Sequence, residues 1–332
     1  MKLSNEKWNE ALRALRGGYE VFLPTGEGDR KQFRRWDGAA APNFEGNTTL
    51  PPKDLLFPRS ESLYHVDPES KTVRENPAPG KKAVVGIRPC DVRGIENLDA
   101  AFTEKGYTDT AYARRREGLT IIALACTAVP SPACFCDSMG GGPLKAPGAD
   151  VLLTGAEDGG YTAEFFTEKG KEIEALWRDF SDKGAGLAAE KPTAPPLCAL
   201  RIDKPADLAE KLAAAFEDEK WERFSEACLG CGCCSYICPT CYCFDIDSEQ
   251  AGKEASAFRC WDSCMFPNYT QMAGGHNPRR AKHQRLRNRY LHKLAYFDER
   301  YGRTLCVGCG RCIDKCPAGL DITAVMEWGG TL

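Results

Sequence analysis

Long apolar runs are absent from this sequence. Its most apolar segments, such as residues 119–126, are far shorter than the roughly 20 residues that a helix needs to cross a bilayer. The N-terminal stretch MKLSNEKWNEALRALRGG has neither an apolar signal core nor a cleavage site, so we expect a cytoplasmic protein with no membrane partner. The net charge of −3 over 332 residues also gives no general reason to expect nucleic acid as a partner.

Motifs for nucleotide binding and for bond-making chemistry are absent as well. No G-x-G-x-x-G follows a predicted strand, and there is no P-loop, nucleophile elbow or H-E-x-x-H. The four histidines are too dispersed to suggest a catalytic metal triad; they are His65, His276, His283 and His292. His276, in the segment GGHN, is expected in a turn or beside a cluster rather than as a ligand. We therefore nominate no catalytic residue in this chain.

Cysteine, by contrast, is abundant. The chain has 18 cysteines, and 13 of them fall between Cys228 and Cys316. In a reducing compartment, cysteines in a large chain bind metal more often than they form disulfides. The sequence therefore predicts a metalloprotein.

The N-terminal part has the pattern of an α/β domain, which we place at residues 1–195. Continuous apolar runs at 82–87 and 119–126 predict strands covered on both faces, and apolar residues at helical spacing predict a helix over 91–102 between them. Strand, helix and strand form a βαβ unit. Further elements are predicted as a helix beginning near Ser4, strands at 19–23, 150–154 and 161–166, a helix over 168–180 and a loop up to about residue 52.

A segment rich in Gly, Ala and Pro at 183–197 marks the predicted domain boundary. Beyond it, residues 205–224 have the amphipathic pattern of one helix. We predict that residues 196–332 form a mainly α-helical, ferredoxin-like domain with a long basic insert between two cysteine motifs.

Two stretches of this domain match C-x2-C-x2-C-x3-C-P. Three closely spaced cysteines can bind three irons of a cubane, and the fourth, which precedes a proline, is directed at the other cluster in two-cluster ferredoxins. We therefore predict two interlocked [4Fe–4S] clusters. One uses Cys228, Cys231, Cys234 and Cys316, and the other uses Cys306, Cys309, Cys312 and Cys238.

Glycines inside both motifs fit this interpretation. They let the backbone turn close to the metal and aim N–H groups at sulfur, and they are Gly230, Gly232, Gly308 and Gly310. The alternative is two zinc sites, but zinc favours two C-x2-C pairs well separated in sequence, whereas each run here supplies four cysteines. Interlocked clusters lie near one another, so their natural task is to pass single electrons.

About 67 residues separate the two motifs, far more than a minimal ferredoxin uses. Residues 279–303 of this insert are strongly basic. One interpretation is a solvated helix whose charge offsets that of the clusters; another is a docking face for an acidic partner. The cations of this stretch include Arg279, Arg280, Lys282, Arg285, Arg287, Arg289 and Lys293, and neutralising Arg285, Arg287 and Arg289 would test the docking face. Nucleic-acid binding is not expected, because no recognition module accompanies the patch.

Four cysteines of the N-terminal part are candidates for a third [4Fe–4S] cluster. Cys90 and Cys126 lie at the carboxyl ends of predicted parallel strands, the edge of an α/β sheet where ligands bind, and Cys134 and Cys136 follow. The alternative is that Cys90 and Cys126 are small buried apolar residues and that the other two are incidental.

Other cysteines leave the assignment of a third cluster open. A rival tetrad lies within the insert and consists of Cys241, Cys243, Cys260 and Cys264. Cys233 is out of register in the first motif, and Cys198 lies next to the predicted domain boundary. Both are predicted not to bind metal.

Several segments between about residues 50 and 322 resemble one family closely, and they occur in its order. They are GIRPCDVRGIENLD, ACT followed by CFCDSMGGGP, CPTCYCFD, WDSC, AGGHNPR and YGRTLCVGCGRCIDKCP. The sequence is similar to the iron–sulfur β subunits of cytosolic nickel–iron (sulf)hydrogenases, a family also known from the anaerobic sulfite reductases. Related chains occur in flavin oxidoreductase modules that feed heterodisulfide reductase complexes.

The resemblance implies an electron wire within a soluble anaerobic complex. The expected partners are a reductase subunit with FAD, a [2Fe–2S] cluster and an NAD(P)H site, and a terminal redox subunit of the hydrogenase, sulfite reductase or heterodisulfide reductase type. The family pattern also implies ligands at Cys90, Cys126, Cys134 and Cys136 and requires none at Cys260.

Two other functions stay open on the sequence alone. The chain could be a reductase in its own right, with flavin bound in the α/β domain near residues 139–143. Alternatively, the clusters could be structural and hold a scaffold or a nucleic-acid-binding surface.

Overall fold

Two β-sheets and a set of short helices make up the fold. The computed structural model describes residues 1–67, 69–77, 79–156, 158–182, 197–252 and 254–332. In this part of the chain the strands are β1 (Lys2–Leu3), β2 (Glu20–Thr25), β3 (Gln32–Arg35), β4 (Ser60–Asp67), β5 (Thr72–Glu75), β6 (Lys82–Ile87), β7 (Leu119–Leu124), β8 (Val151–Gly155), β9 (Tyr161–Phe165), β10 (Phe244–Ala251) and β11 (Glu254–Trp261).

The helices are distributed over both parts of the chain. They are α1 (Asn5–Ala14), α2 (Pro89–Thr103), α3 (Thr110–Gly118), α4 (Glu168–Trp177), α5 (Leu208–Ala214), α6 (Lys220–Ser225), α7 (Cys233–Tyr236), α8 (Lys282–Leu291), α9 (Phe297–Tyr301), α10 (Arg311–Asp314) and α11 (Ile322–Thr331). Between α8 and α9 the helix continues as one π-helical segment, His292–Tyr296. None of the described helices has the length and apolar character needed to span a membrane.

The larger sheet has seven strands in the order β1-β9-β8-β7-β6-β2-β3. Its four central strands β2, β6, β7 and β8 are parallel, and the outer strands are antiparallel to their neighbours. Every residue of β7 is buried, as expected for a strand covered on both faces. The predicted βαβ unit is confirmed as β6, α2 and β7, and it makes the N-terminal part an α/β fold.

Apolar side chains cover this sheet on both faces. Leu12 and Trp177, from α1 and α4, belong to the core on one face. Val92, Leu98 and Phe102, all from α2, belong to the core on the other. The carboxyl ends of β6 and β7 therefore lie between the two apolar cores that cover the sheet. Cys90 and Cys126 follow these strand ends directly.

The smaller sheet joins the two parts of the chain. Its order is β10-β11-β4-β5, so a hairpin from the insert pairs with two strands of the N-terminal part. Arg259 of β11 is 2% exposed and donates from Nε to Glu61 Oε1 of β4 at 3.0 Å. This sheet was not predicted, because β10 is mostly polar and exposed and its partner strands lie far away in sequence.

The structure differs from the sequence predictions at several further elements. The single helix predicted over 205–224 is two helices, α5 and α6, and the predicted loop up to residue 52 contains β3. Helix α3 was not predicted, although Asp109 caps it by accepting a hydrogen bond from the Tyr112 N–H at 2.8 Å. The domain boundary predicted at 183–197 lies outside the described residues except for residue 197. The C-terminal part is also less purely helical than expected, since it contributes the β10–β11 hairpin.

Candidate metal centres

The two cysteine motifs fold into loops of the same shape. The backbone φ is +66° at Gly230 and +67° at Gly308, and it is +73° at Gly232 and +76° at Gly310. The second glycine of each pair caps a short helix, α7 or α10. Since other residues are strained at these angles, the glycines allow each run of cysteines to curl into a tight loop.

The first predicted ligand set lies close to the surface. Its four cysteines line one pocket; they are Cys228, Cys231, Cys234 and Cys316. Cys231 is exposed, and the other three are partly buried. Backbone N–H groups donate to two of the sulfurs, from Gly230 to Cys228 Sγ at 3.4 Å and from Leu320 to Cys316 Sγ at 3.2 Å. The structure therefore brings together all four residues predicted for this set, with the fourth supplied by the other motif.

The second predicted set lies in the interior. Cys238, Cys306 and Cys309 are each at most 9% exposed. Burial, opposed by the Lys293 ammonium, raises the pKa of Cys306 to about 11. The Cys238 thiol lies close enough for its charge to act on Cys306, Cys309 and Cys312. Cys238, the cysteine expected to cross over from the first motif, therefore lies near the three cysteines of the second motif, and it is also near Cys234 of the first.

The four cysteines predicted in the N-terminal part also gather in one place. Cys90 and Cys126 follow β6 and β7, and the loop carrying Cys134 and Cys136 returns to the same edge. Burial raises the pKa of Cys134 to about 11 and that of Cys126 above its ordinary value. A fifth cysteine, Cys198, is 3% exposed, and its Sγ lies 3.9 Å from Cys136 Sγ.

The N-terminal cysteine loop packs directly on the second motif. The Phe135 N–H donates to the Gly308 carbonyl at 2.9 Å, and a Cβ added to Gly308 would lie 2.6 Å from the Phe135 carbonyl oxygen. Cys90 and Cys136 pack with Cys309 in one buried cluster. Gly308 is therefore required by close backbone approach as well as by its positive φ.

Buried cations lie beside the sulfurs. The Lys293 Nζ donates to Cys238 Sγ at 3.2 Å and to Thr240 Oγ1 at 3.0 Å. Burial acts to lower the pKa of Lys293, but the neighbouring Cys238 and Cys241 sulfurs outweigh it and raise this pKa above its ordinary value. Arg289 lies beside Cys234 and Cys312, and Arg88 beside Cys126.

These donor sets fit [4Fe–4S] clusters. A cluster bound by four thiolates carries net negative charge, which the buried cations and the N–H groups at sulfur would offset. Within the described ranges, no three His, Cys, Asp or Glu side chains converge on a point that a single metal ion could occupy. A cubane does not require such convergence, because its four thiolates bind separate irons at its corners.

The four cysteines of the rival tetrad are divided. Two of them form a pair with each other, a third pairs with Cys238 from outside the tetrad, and Cys260 is in neither pair. Cys241 shares a hydrogen bond with Cys238, and Cys243 shares one with Cys264, which lowers the pKa of Cys243 to about 6. Cys260 is half-buried on β11 opposite Asp245. Cys233 donates to the Lys315 carbonyl at 3.7 Å.

Three arginines of the basic insert, Arg285, Arg287 and Arg289, are packed against protein rather than presented as a docking face. Arg285 donates to three backbone carbonyls, those of Met265, Arg279 and Arg280. Arg289 is 3% exposed, and Lys293 is 2% exposed. Arg287 lies over the Phe216 ring and donates to its carbonyl at 2.6 Å. These three arginine side chains therefore do not form the expected docking face, because the fold presents carbonyls and thiols to this helix and the cations bind them. Arg280, in the same stretch, is exposed.

Sequence reasoning missed three residues that contact the cysteine sites. Cys198 and Lys293 are described above. Lys53 is 3% exposed; its Nζ donates to the Cys241 carbonyl at 2.8 Å and lies 4.2 Å from the centre of the Trp261 ring. No motif marks any of the three. The available signal for Lys53 was weak: a Lys-Asp pair within an otherwise apolar segment, PPKDLLF.

Comparison with known proteins agrees with this geometry. A family model described as a 4Fe-4S dicluster domain matches residues 227–320, which include both motifs and the insert. The C-terminal part is therefore a dicluster iron–sulfur domain of the [4Fe–4S] type. Over 98% of this chain and 97% of the relative, the sequence is 30% identical to sulfhydrogenase 2 subunit beta of Pyrococcus furiosus. The chain belongs to this family of sulfhydrogenase beta subunits, which confirms the resemblance. No solved structure gives a significant match.

Proposed function

We propose that this chain is the electron-transfer subunit of a sulfhydrogenase-type oxidoreductase complex in the cytoplasm. It relays single electrons between a reductase subunit, with FAD, a [2Fe–2S] cluster and an NAD(P)H site, and a terminal redox subunit. The name of the relative, a subunit of a sulfhydrogenase, supports a multi-subunit assembly. The clusters would supply the one-electron chemistry, and the chain supplies their ligands, spacing and electrostatic surroundings.

One observation carries the proposal: the cysteine sets are packed in series. The first and second sets meet at Arg289, which lies beside Cys234 of one and Cys312 of the other. The second and N-terminal sets meet where Cys309 packs against Cys90 and Cys136. Electrons entering near the exposed Cys231 would therefore find a continuous path to the N-terminal sheet edge.

The placement of Cys238 beside the second motif and of Cys316 in the pocket of the first supports the following ligand assignment for the C-terminal part. One cluster would be held by Cys228, Cys231, Cys234 and Cys316, and the other by Cys306, Cys309, Cys312 and Cys238. A third [4Fe–4S] cluster would occupy the N-terminal site, among Cys90, Cys126, Cys134, Cys136 and Cys198. The presence of five buried or partly buried thiols at one sheet edge supports it.

The segment considered for flavin is packed against protein. Met139 is 4% exposed within the apolar core of the C-terminal part. A Cβ added to Gly141 would lie 2.7 Å from Arg93 Nη1 and 2.9 Å from the Cys136 carbonyl oxygen. These contacts favour a role in positioning the cysteine loop.

The deciding experiment is iron and acid-labile sulfide analysis of the anaerobically purified full chain, with EPR during stepwise reduction. We expect about 12 iron per chain and signals from interacting reduced clusters. About 8 iron would overturn the third cluster. Clusters that accept no electrons at any accessible potential would overturn the electron-transfer role and favour the structural alternative.

A further inference from the structure

Five cysteines, rather than four, lie at the N-terminal metal site, and a cubane takes four protein ligands. The sequence pattern selects Cys90, Cys126, Cys134 and Cys136. The structure adds Cys198, which is among the best buried of the five. The positions of Cys90 and Cys198 relative to the other three decide which of them completes the site.

Cys198 is a shared neighbour of the other three thiols. Its Sγ lies 3.9 Å from Cys136 Sγ. It is also close enough for its charge to act on the thiols of Cys126 and Cys134 as well as on Cys136. These four sulfurs therefore form a mutually adjacent set.

Cys90 is shifted toward the second motif. The Cys90 thiol has Cys309 of the second motif and Cys126 of the N-terminal set as neighbouring cysteines. Cys90 also packs with Val307 and Cys309, and Cys136 packs against the same cluster. Its thiol thus lies in the gap between the two cysteine sets.

Local hydrogen bonds hold Cys198 in place. Its backbone N–H donates to Asp137 Oδ2 at 3.1 Å, and the Ile202 N–H donates to Ser138 Oγ at 3.0 Å. Both acceptors belong to the loop that follows Cys136. The segment around Cys198 is therefore anchored to the same loop that carries two other cysteines.

We infer that Cys198 is the fourth ligand of the N-terminal [4Fe–4S] cluster, together with Cys126, Cys134 and Cys136, and that Cys90 occupies the space between this cluster and the one bound by Cys309. The inference rests on the proposed third cluster. It makes the start of the C-terminal part a ligand of the N-terminal site, so that binding of the cluster ties the two parts of the chain together.

The test compares full-length Cys198→Ala and Cys90→Ala with Cys233→Ala as the matched control. Each is reconstituted anaerobically, and iron per chain and the EPR spectrum of the oxidised protein are measured. We expect about 12 iron for the wild type, Cys90→Ala and Cys233→Ala. We expect Cys198→Ala to fall to about 8, or to show a [3Fe–4S] signal.

Three outcomes would overturn the inference. Cys198→Ala could keep about 12 iron without a [3Fe–4S] signal, or Cys90→Ala could show the loss instead. A wild type with about 8 iron would remove the third cluster itself, so failure of the proposed function is distinguishable from failure of this assignment.

A second variant covers the case in which Cys198→Ala loses all its clusters through misfolding. Cys198→Ser keeps an oxygen that can bind iron, so the reduced N-terminal cluster should persist with altered g-values. Unaltered g-values in Cys198→Ser, with altered ones in Cys90→Ser, would overturn the assignment.

Discussion

Arg311 and Asp91 form a buried ion pair that joins the two parts of the chain. Arg311 Nη1 lies 2.5 Å from Asp91 Oδ1, and Nη2 lies 2.7 Å from Oδ2. Asp91 directly follows Cys90 at the start of α2, and Arg311 lies between Cys309 and Cys312 in the second motif. The Arg311 Nε also donates to the Thr48 carbonyl at 2.8 Å. The pair therefore sets how the second motif lies on the N-terminal sheet edge.

Asp91→Asn should destabilise the protein strongly. It leaves the Arg311 guanidinium buried without a counter-charge, which typically costs about 3–5 kcal/mol. The measurement is the anaerobic guanidinium midpoint, monitored by loss of the cluster absorbance and by circular dichroism. Asp29→Asn is the control, because the Asp29–Lys315 pair is exposed and its loss should leave the midpoint nearly unchanged. Equal midpoints for Asp91→Asn and the wild type would contradict the role of the pair.

Lys293→Met should lower the reduction potential of the cluster that we propose Cys238 binds. The Lys293 ammonium is 2% exposed and donates to Cys238 Sγ, so it stabilises the added electron. A hydrogen bond from a charged group is worth about 1.5–3 kcal/mol, and about 1.4 kcal/mol corresponds to roughly 59 mV in a one-electron couple. We expect a decrease of about 60 mV or more in an EPR-monitored titration.

Lys282→Met is the matched control for Lys293→Met. Lys282 lies in the same insert, and its Nζ donates to the Glu226 carbonyl at an exposed position. In Lys282→Met, the reduction potential of the cluster at Cys238 should equal that of the wild type. If both variants titrate like the wild type, the Lys293 contact does not tune the cluster.

Gly308→Ala should be far more damaging than Gly230→Ala. The two glycines occupy the same place in the two motifs and have nearly the same φ, so the backbone strain is matched. An added Cβ would lie 2.6 Å from the Phe135 carbonyl oxygen at Gly308 but 3.9 Å from the Met265 carbonyl oxygen at Gly230. We expect Gly308→Ala to lose iron from the second and N-terminal sites. Equal iron contents in the two variants would show that the packing of the two loops is unimportant.

Arg285→Gln should destabilise the fold without making assembly with partner subunits more sensitive to salt. Its guanidinium satisfies three carbonyls, and leaving buried carbonyls unpaired costs about 1–3 kcal/mol each. The exposed Arg280 side chain provides the control, since Arg280→Gln should keep the wild-type unfolding midpoint. Loss of assembly that grows with ionic strength in Arg285→Gln, at unchanged stability, would restore the docking interpretation.

The cysteine motifs and the α/β character of the N-terminal part were readable in the sequence because both are local. A cubane imposes the spacing of Cys306, Cys309 and Cys312 on one short loop, and the glycines between them are needed by that same loop. Likewise, a strand buried on both faces must be apolar along its whole length, as 82–87 and 119–126 are. Even the proposed crossing of Cys238 and Cys316 was predicted from the repeat of a single motif.

The tertiary structure alone decided which distant segments meet. The β10–β11 hairpin pairs with β4 across nearly 200 residues of chain, and a mostly polar strand such as β10 carries no local mark of its partner. The polar and thiol side chains of Arg285, Lys293 and Cys198 are buried because carbonyls, sulfurs and carboxylates from other segments surround them. Sequence patterns report what a residue prefers in isolation, whereas burial of a cation or a thiol depends on partners that only the folded chain supplies.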